Sequence, residues 1–187
     1  MTILYVKTAL GEGLPDLAPG HTFDAGFDVY AAVNIEAPPA SLDHPFVEIP
    51  LGFVYRFVEE SPIIRNGIEY VPTLEVVKKG SGDWWLDFQA IIFDYGYQHA
   101  LDDPRGVRLR AVNRSSSIQR IERGRKVTQL VETERRKVDV RKSTLEELAK
   151  IRPPDGRGVG HFGSTDRAKW RSAYDGDSYP GRRSDET

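Results

Sequence analysis

The sequence predicts an all-β domain, a barrel or jelly roll, followed by a polar C-terminal segment. Three observations carry that expectation. Runs rich in β-branched and aromatic residues recur at close spacing from Ile3 to Arg141, each closed by Gly, Pro, Asn or Asp. Only Ser143–Lys150 carries the marks of a helix, a hydroxyl cap and acids in the first turn. The apolar fraction of 39% in 187 residues supports one modest core, with no internal repeat.

Taken in order, residues 3–7 read as a first strand, and a turn-rich connection leads to about Phe23. Asp24-Ala25-Gly26-Phe27-Asp28-Val29-Tyr30-Ala31-Ala32 sets one carboxylate among small and apolar residues. Two readings stand: a strand with one solvent-facing Asp, or a carboxylate placed beside a hydrated cation. Residues 47–58 hold a Pro50/Gly52 break between two β-rich runs, hence strand, corner, strand. Asn66-Gly67 between apolar stretches suits a hairpin tip.

Residues 74–79 form a further strand that runs into Lys78-Lys79-Gly80-Ser81-Gly82-Asp83, either a solvated turn or a phosphate cradle. The aromatic stretch from Trp84 to Tyr97 is expected to be one buried core strand. Asp102-Asp103-Pro104-Arg105-Gly106 is a strong turn signal. Residues 107–112 then alternate as a strand with one wet face. Asn113-Arg114-Ser115-Ser116-Ser117 is a polar break. Residues 121–131 read as turn plus strand and 135–142 as a charged strand or loop, before the helical turn ends at Pro153-Pro154. The expected division is a β-barrel over 1–151 and an arm over 152–187, mobile in its polar tail after Asp166.

Composition excludes several classes. A net charge of −2 gives no basic footprint for general nucleic-acid binding. With no cysteine, a disulfide framework, a thiolate nucleophile and cysteine-ligated metal are all excluded. No apolar run approaches a membrane span, and the first residues are too short in their apolar part for a signal peptide. The expectation is a cytoplasmic protein without a membrane or nucleic-acid partner.

The most informative stretch is Arg157-Gly158-Val159-Gly160-His161-Phe162-Gly163-Ser164-Thr165. Arg157 offers a forked cation suited to phosphate oxygens. Ser164 and Thr165 offer hydroxyls, and the glycines let backbone N–H groups approach an anion. Phe162 offers a face on which a nucleobase can stack. The spacing Gly158-x-Gly160-x-x-Gly163 also fits a dinucleotide fingerprint, but Pro153-Pro154-Asp155-Gly156 precedes it where that fingerprint needs a strand. A flexible linker is the plainer alternative; a lone Phe between glycines is foreign to it.

These residues resemble the trimeric dUTP nucleotidohydrolases, whose fold is shared with the dCTP deaminases. The terminal stretch is similar to the family's R-G-x-G-G-F-G-S-T. The segment around Asp28 resembles A-G-x-D-L-x-A. Ile121-Glu122-Arg123-Gly124-Arg125-Lys126-Val127-Thr128-Gln129-Leu130 resembles the motif with core G-x-R-I-A-Q-L, and the Asn113-Arg114-Ser115 break before it also looks like the family. The third motif, I-D-x-x-Y-R-G-E, finds its counterpart in Phe93-Asp94-Tyr95-Gly96-Tyr97; an alternative register aligns Asp102-Asp103-Pro104-Arg105-Gly106 but loses the tyrosine. The second motif, R-S-G/S, has Lys79-Gly80-Ser81-Gly82 as its nearest match.

The resemblance implies a distorted jelly-roll barrel of the β-clip type with a flexible C-terminal arm. It implies cleavage of dUTP to dUMP and pyrophosphate, with Mg²⁺ on the triphosphate and water attacking the α-phosphorus. Asp94 would hold and deprotonate that water, and Tyr97 would pack beneath the deoxyribose. Asp28 would orient the waters of the metal. Ser81 and Gln129 would bind phosphate oxygens, while Arg157, Gly163, Ser164 and Thr165 close over the phosphates and Phe162 caps the base. Sites would be shared between the protomers of a homotrimer. The extra residues 98–105 fall where the family reads uracil, and His161 replaces a glycine beside the stacking Phe, so a different or modified pyrimidine nucleotide is an alternative substrate. The same fold would also serve a binding or regulatory protein, or a dCTP deaminase. The deaminase needs a glutamate on the strand leading to Asn113, where Arg110 stands.

Overall fold

The structure is a computed structural model; it describes residues 2–19, 26–58, 63–70, 73–76, 86–88, 92–94, 100–132 and 138–151. Among them the chain is built from short strands: β1 (Thr2–Lys7), β2 (Gly26–Tyr30), β3 (Ile35–Ala37), β4 (Val47–Pro50), β5 (Phe53–Phe57), β6 (Ile63–Arg65), β7 (Ile68–Tyr70), β8 (Thr73–Val76), β9 (Leu86–Phe88), β10 (Ile92–Asp94), β11 (Arg108–Asn113), β12 (Gln119–Ile121), β13 (Lys126–Glu132) and β14 (Asp139–Lys142). A single 3₁₀ turn (Ala9–Gly11) and one helix, α1 (Leu145–Lys150), complete the described elements. The all-β expectation therefore holds.

Three larger sheets carry the architecture, in the orders β14-β1-β5, β10-β8-β13-β2 and β4-β11-β9; β12 pairs β3 and β6 pairs β7. The first strand sits between the last strand, which it meets in parallel, and β5, which it meets antiparallel. Partners so remote in sequence enclose one core. Ile3 and Tyr5 from β1 meet Phe27 and Val29 from β2, Phe53, Tyr55 and Phe57 from β5, Leu109 from β11 and Leu130 from β13. The aromatics pack edge-on, Tyr5 to Phe53 with centroids 6.4 Å apart and Tyr55 to Phe57 at 5.3 Å, as ring quadrupoles prefer.

Local sequence accounts for most boundaries. The corner between β4 and β5 turns at Gly52 with φ of +70°. The Asn66-Gly67 tip between β6 and β7 has φ of +51° and +76°, the pair of left-handed residues a tight hairpin turn requires. Thr144 caps α1 through a full capping box with Glu147, and Leu148 is the side chain the helix buries. Alternation in β11 is as expected, with Leu109, Ala111 and Asn113 buried and Arg108, Arg110 and Val112 partly exposed. Arg110 is held over the Phe46 ring, 4.5 Å from its centroid, and pairs with Glu48.

One expectation is corrected, and one strand is added. The stretch from Trp84 to Tyr97 does not form one strand: β9 joins β11 in one sheet, and β10 joins β8 in another. Its apolar density carries no record of which partner each half pairs with, and two separate sheets take one half each. The segment Ile35–Ala37, too short to show a strand pattern of its own, forms β3 because β12 pairs with it.

Candidate active site

Asp28 lies in the middle of β2, between the fully buried Phe27 and Val29. β2 comes unusually close to β13 at Gly26, where a Cβ would stand 2.3 Å from the Leu130 carbonyl oxygen. Glycine two residues before the carboxylate is thus what allows the two strands to approach. The register then sets Asp28 directly opposite Gln129. Gln129 Nε2 donates to Asp28 Oδ1 at 2.8 Å, across 101 residues of sequence. Lys126 Nζ approaches the same oxygen at 2.7 Å. Asp28 is 8% exposed, so the solvent-facing Asp of the plainer sequence reading is replaced by a nearly buried, ion-paired carboxylate. Two site residues expected from different motifs, Asp28 and Gln129, are brought together. Lys126 completes the cluster without being among the expected site residues; its one sequence signal is the cation in its motif.

Asp94 ends β10, opposite Thr73 on β8. It belongs to the same sheet as Asp28, at the far corner. β10 and β2 are the two edges of the order β10-β8-β13-β2. Along the strands the two rows differ by four residues, from Gln129 to Glu132 opposite Leu74 and one further to Thr73. At strand spacings of about 4.8 Å and rises of about 3.3 Å the backbones are about 20 Å apart. The backbones of Asp28 and Asp94 thus lie at opposite corners of this sheet. Ser81, Tyr97, Arg157, Phe162, Gly163, Ser164 and Thr165 lie outside the described residues, as does the 152–187 arm.

The turn before β11 is built firmly. Gly106 N donates to Asp103 O, Gly52 N to Arg105 O at 3.2 Å, and Val107 N to Phe53 O at 2.7 Å. Thr8 Oγ1 donates to Pro104 O at 2.6 Å. Asp103 accepts from Arg105 N at 3.0 Å and Arg105 Nε at 3.2 Å, and Arg108 stands 3.9 Å away. Partial burial pushes the Asp103 carboxyl up, but the Arg105 hydrogen bonds and the charges of Arg105 and Arg108 outweigh it and hold it below the usual carboxylate range. Asp102 beside it is exposed. At the end of β11, the buried Asn113 donates to Ala37 O at 2.7 Å and Ser117 O at 2.9 Å, and Arg114 just beyond the strand pairs with Asp87 at 2.9 Å. Asn113-Arg114-Ser115 is a strand-connecting turn, as expected.

Among the described residues no group of three or more His, Asp or Glu converges as a metal-binding set. A Mg²⁺ carried on a polyphosphate keeps several waters and needs only one or two carboxylates, so a lone hard-oxygen donor such as Asp28 suits it. Among the described residues no helix is long and apolar enough to cross a membrane.

The described strands have the dUTPase fold, shown by likeness to solved structures. The dUTPase of phage phi11 of S. aureus, a structure noted for its species-specific insert, superposes with a TM-score of 0.51 over 71% of this chain and 90% of that one, at 16% identity. A point mutant of the same phage enzyme, described with a structural Mg(II) ion, gives the same TM-score, coverage and identity. At that identity the likeness is one of fold. No protein-family model matches the sequence, and no curated protein matches it.

Proposed function

We propose that this chain hydrolyses a deoxynucleoside triphosphate, dUTP or a related pyrimidine nucleotide, to the monophosphate and pyrophosphate. The observation that carries the reading is the Gln129–Asp28 bond: the motif-like segments around Asp28 and Gln129, remote in sequence, meet in register through the side chains to which the resemblance gives roles. Asp28 presents a fixed negative charge to the hydration shell of Mg²⁺ on the triphosphate. Bound there, Mg²⁺ would draw charge from the transferring phosphoryl group. Gln129 and Ser81 hold phosphate oxygens, Asp94 accepts the proton of the attacking water, and Tyr97 packs against the sugar. Residues 152–187 act as the arm, with Arg157, Gly163, Ser164 and Thr165 on the phosphates and Phe162 on the base.

The separation of about 20 Å between Asp28 and Asp94 supports a site shared between protomers of a homotrimer, since one chain alone cannot bring both to one substrate. A second register for the base is favoured by one observation: Asp102 is exposed on a rigid turn, whereas its neighbour Asp103 is already engaged by two arginines.

Pyrophosphate release from a panel of deoxynucleoside triphosphates with Mg²⁺ tests the reading. Wild type is expected to cleave the uracil nucleotide, and Asp94→Asn to lose about 10²- to 10⁴-fold in turnover, the usual worth of a positioned base. Full turnover in Asp94→Asn with an inactive Asp102→Asn would move the base to Asp102. No cleavage of any nucleotide by wild type would leave a binding protein, and ammonia without pyrophosphate a deaminase.

A further inference from the structure

Lys126 has no part in the proposed hydrolysis as described, and a role for it rests on the place given there to Asp28. Its ammonium contacts the same Asp28 oxygen that Gln129 occupies, with the lysine side chain 42% exposed and the carboxylate side chain 11%. The cation thus stands on the solvent side of a nearly buried anion.

Regular strand geometry would not put it there. Lys126 and Gln129 are three residues apart, and positions of odd separation on a strand face opposite sides. The register between β13 and β2 shifts between Lys126 and Thr128: Lys126 faces Tyr30, Thr128 faces Val29 and Gln129 faces Asp28, so Val127 is an extra residue. Tyr30 and Asp28 share one face of β2, and their cross-strand partners Lys126 and Gln129 therefore share it too. The bulge re-aims the lysine onto the carboxylate. Stability is a weak reason for such a device. An ion pair whose cation is this exposed returns little, while ordering a lysine stem costs rotamer freedom.

We propose that Lys126 is the resident counter-cation of Asp28, keeping the carboxylate aimed until a hydrated divalent cation arrives with a polyphosphate, then yielding Asp28 to it and turning its ammonium to the phosphate oxygens. Lysine suits exchange: it is a compact charge on a flexible stem and grips through single contacts, where a guanidinium would hold a carboxylate by two parallel bonds. Lys126 is a positioning residue in the resting protein and a phosphate ligand in the loaded one.

The test uses the full chain and Mn²⁺, titrated in the presence of a non-hydrolysable deoxyuridine triphosphate analogue. The readout is paramagnetic broadening of the Gln129 side-chain amide, which sits on Asp28. Lys126→Met is expected to reach half-broadening at about fivefold lower Mn²⁺, the worth of removing one partly exposed competing charge. With saturating Mn²⁺ the same variant is expected to bind the analogue several-fold more weakly. Lys126→Gln, which keeps a polar stem, serves if the Met variant does not fold. Equal Mn²⁺ midpoints in wild type and variant overturn the proposal, as does an unchanged affinity with saturating Mn²⁺. Absence of broadening in both proteins also overturns it, by showing that the metal does not visit Asp28. Pyrophosphate release by wild type judges the proposed function separately.

Discussion

Gly106 and Asp103 show how much a single position in the turn before β11 carries. Gly106 has φ of +60°, and a Cβ there would stand 2.1 Å from the Phe53 carbonyl oxygen. Both the dihedral and the space exclude a side chain, so Gly106→Ala should lose about 2 kcal/mol or more in urea unfolding. Asp103 makes a pH prediction. Its folded pKa lies below the unfolded value of about 3.9. Its contribution is therefore present above about pH 4 and is lost as pH falls through the folded value. Asp103→Asn should flatten the acid limb of the stability curve below about pH 4, at a cost near neutrality below about 1 kcal/mol. An acid limb as steep as wild type would show that Asp103 is not among the groups that titrate there.

Among the secondary elements, α1 and the β13 bulge illustrate two kinds of cause. α1 is specified locally. Thr144 Oγ1 accepts from Glu147 N at 3.2 Å while the Glu147 carboxylate accepts from Thr144 N at 3.2 Å. With six residues the helix has few internal bonds to spare, so Thr144→Ala should cost about 1 kcal/mol in thermal or urea unfolding. Leu148, fully buried, should cost about 2–5 kcal/mol on truncation to Ala, because it is the one side chain the helix buries in the core. The bulge is a product of pairing: nothing in Lys126-Val127-Thr128 taken alone specifies that β2 will meet it with one residue fewer.

Across the full fold, the decisive feature is that β1 lies between β14 and β5. β1 closes the body by pairing in parallel with β14, the last of the described strands, so Ile3, 1% exposed, is a keystone despite its place near the start of the sequence. Ile3→Ala is expected to destabilise by about 2–4 kcal/mol, and the loss should appear as one cooperative transition and not as local fraying. On the proposed shared site, sedimentation equilibrium should give three times the 21.1 kDa chain mass. A monomer that releases pyrophosphate at full rate would separate the activity from the assembly.

Neighbouring residues suffice to set most strand segments, the turns at Gly52, Asn66-Gly67 and Gly106, and the start of α1 at a hydroxyl cap. The steric and hydrogen-bonding rules behind those features act over a few positions, so they are legible in the chain before it folds. The motif-like stretches around Asp28 and Gln129 are legible in the same way. Their contact, the arrival of Lys126 beside them, the division of Trp84 to Tyr97 between two sheets, and the distance of Asp94 from Asp28 all come from long-range pairing. Strands join residues a hundred positions apart, and a period of two states which face a side chain takes without naming the strand it will meet.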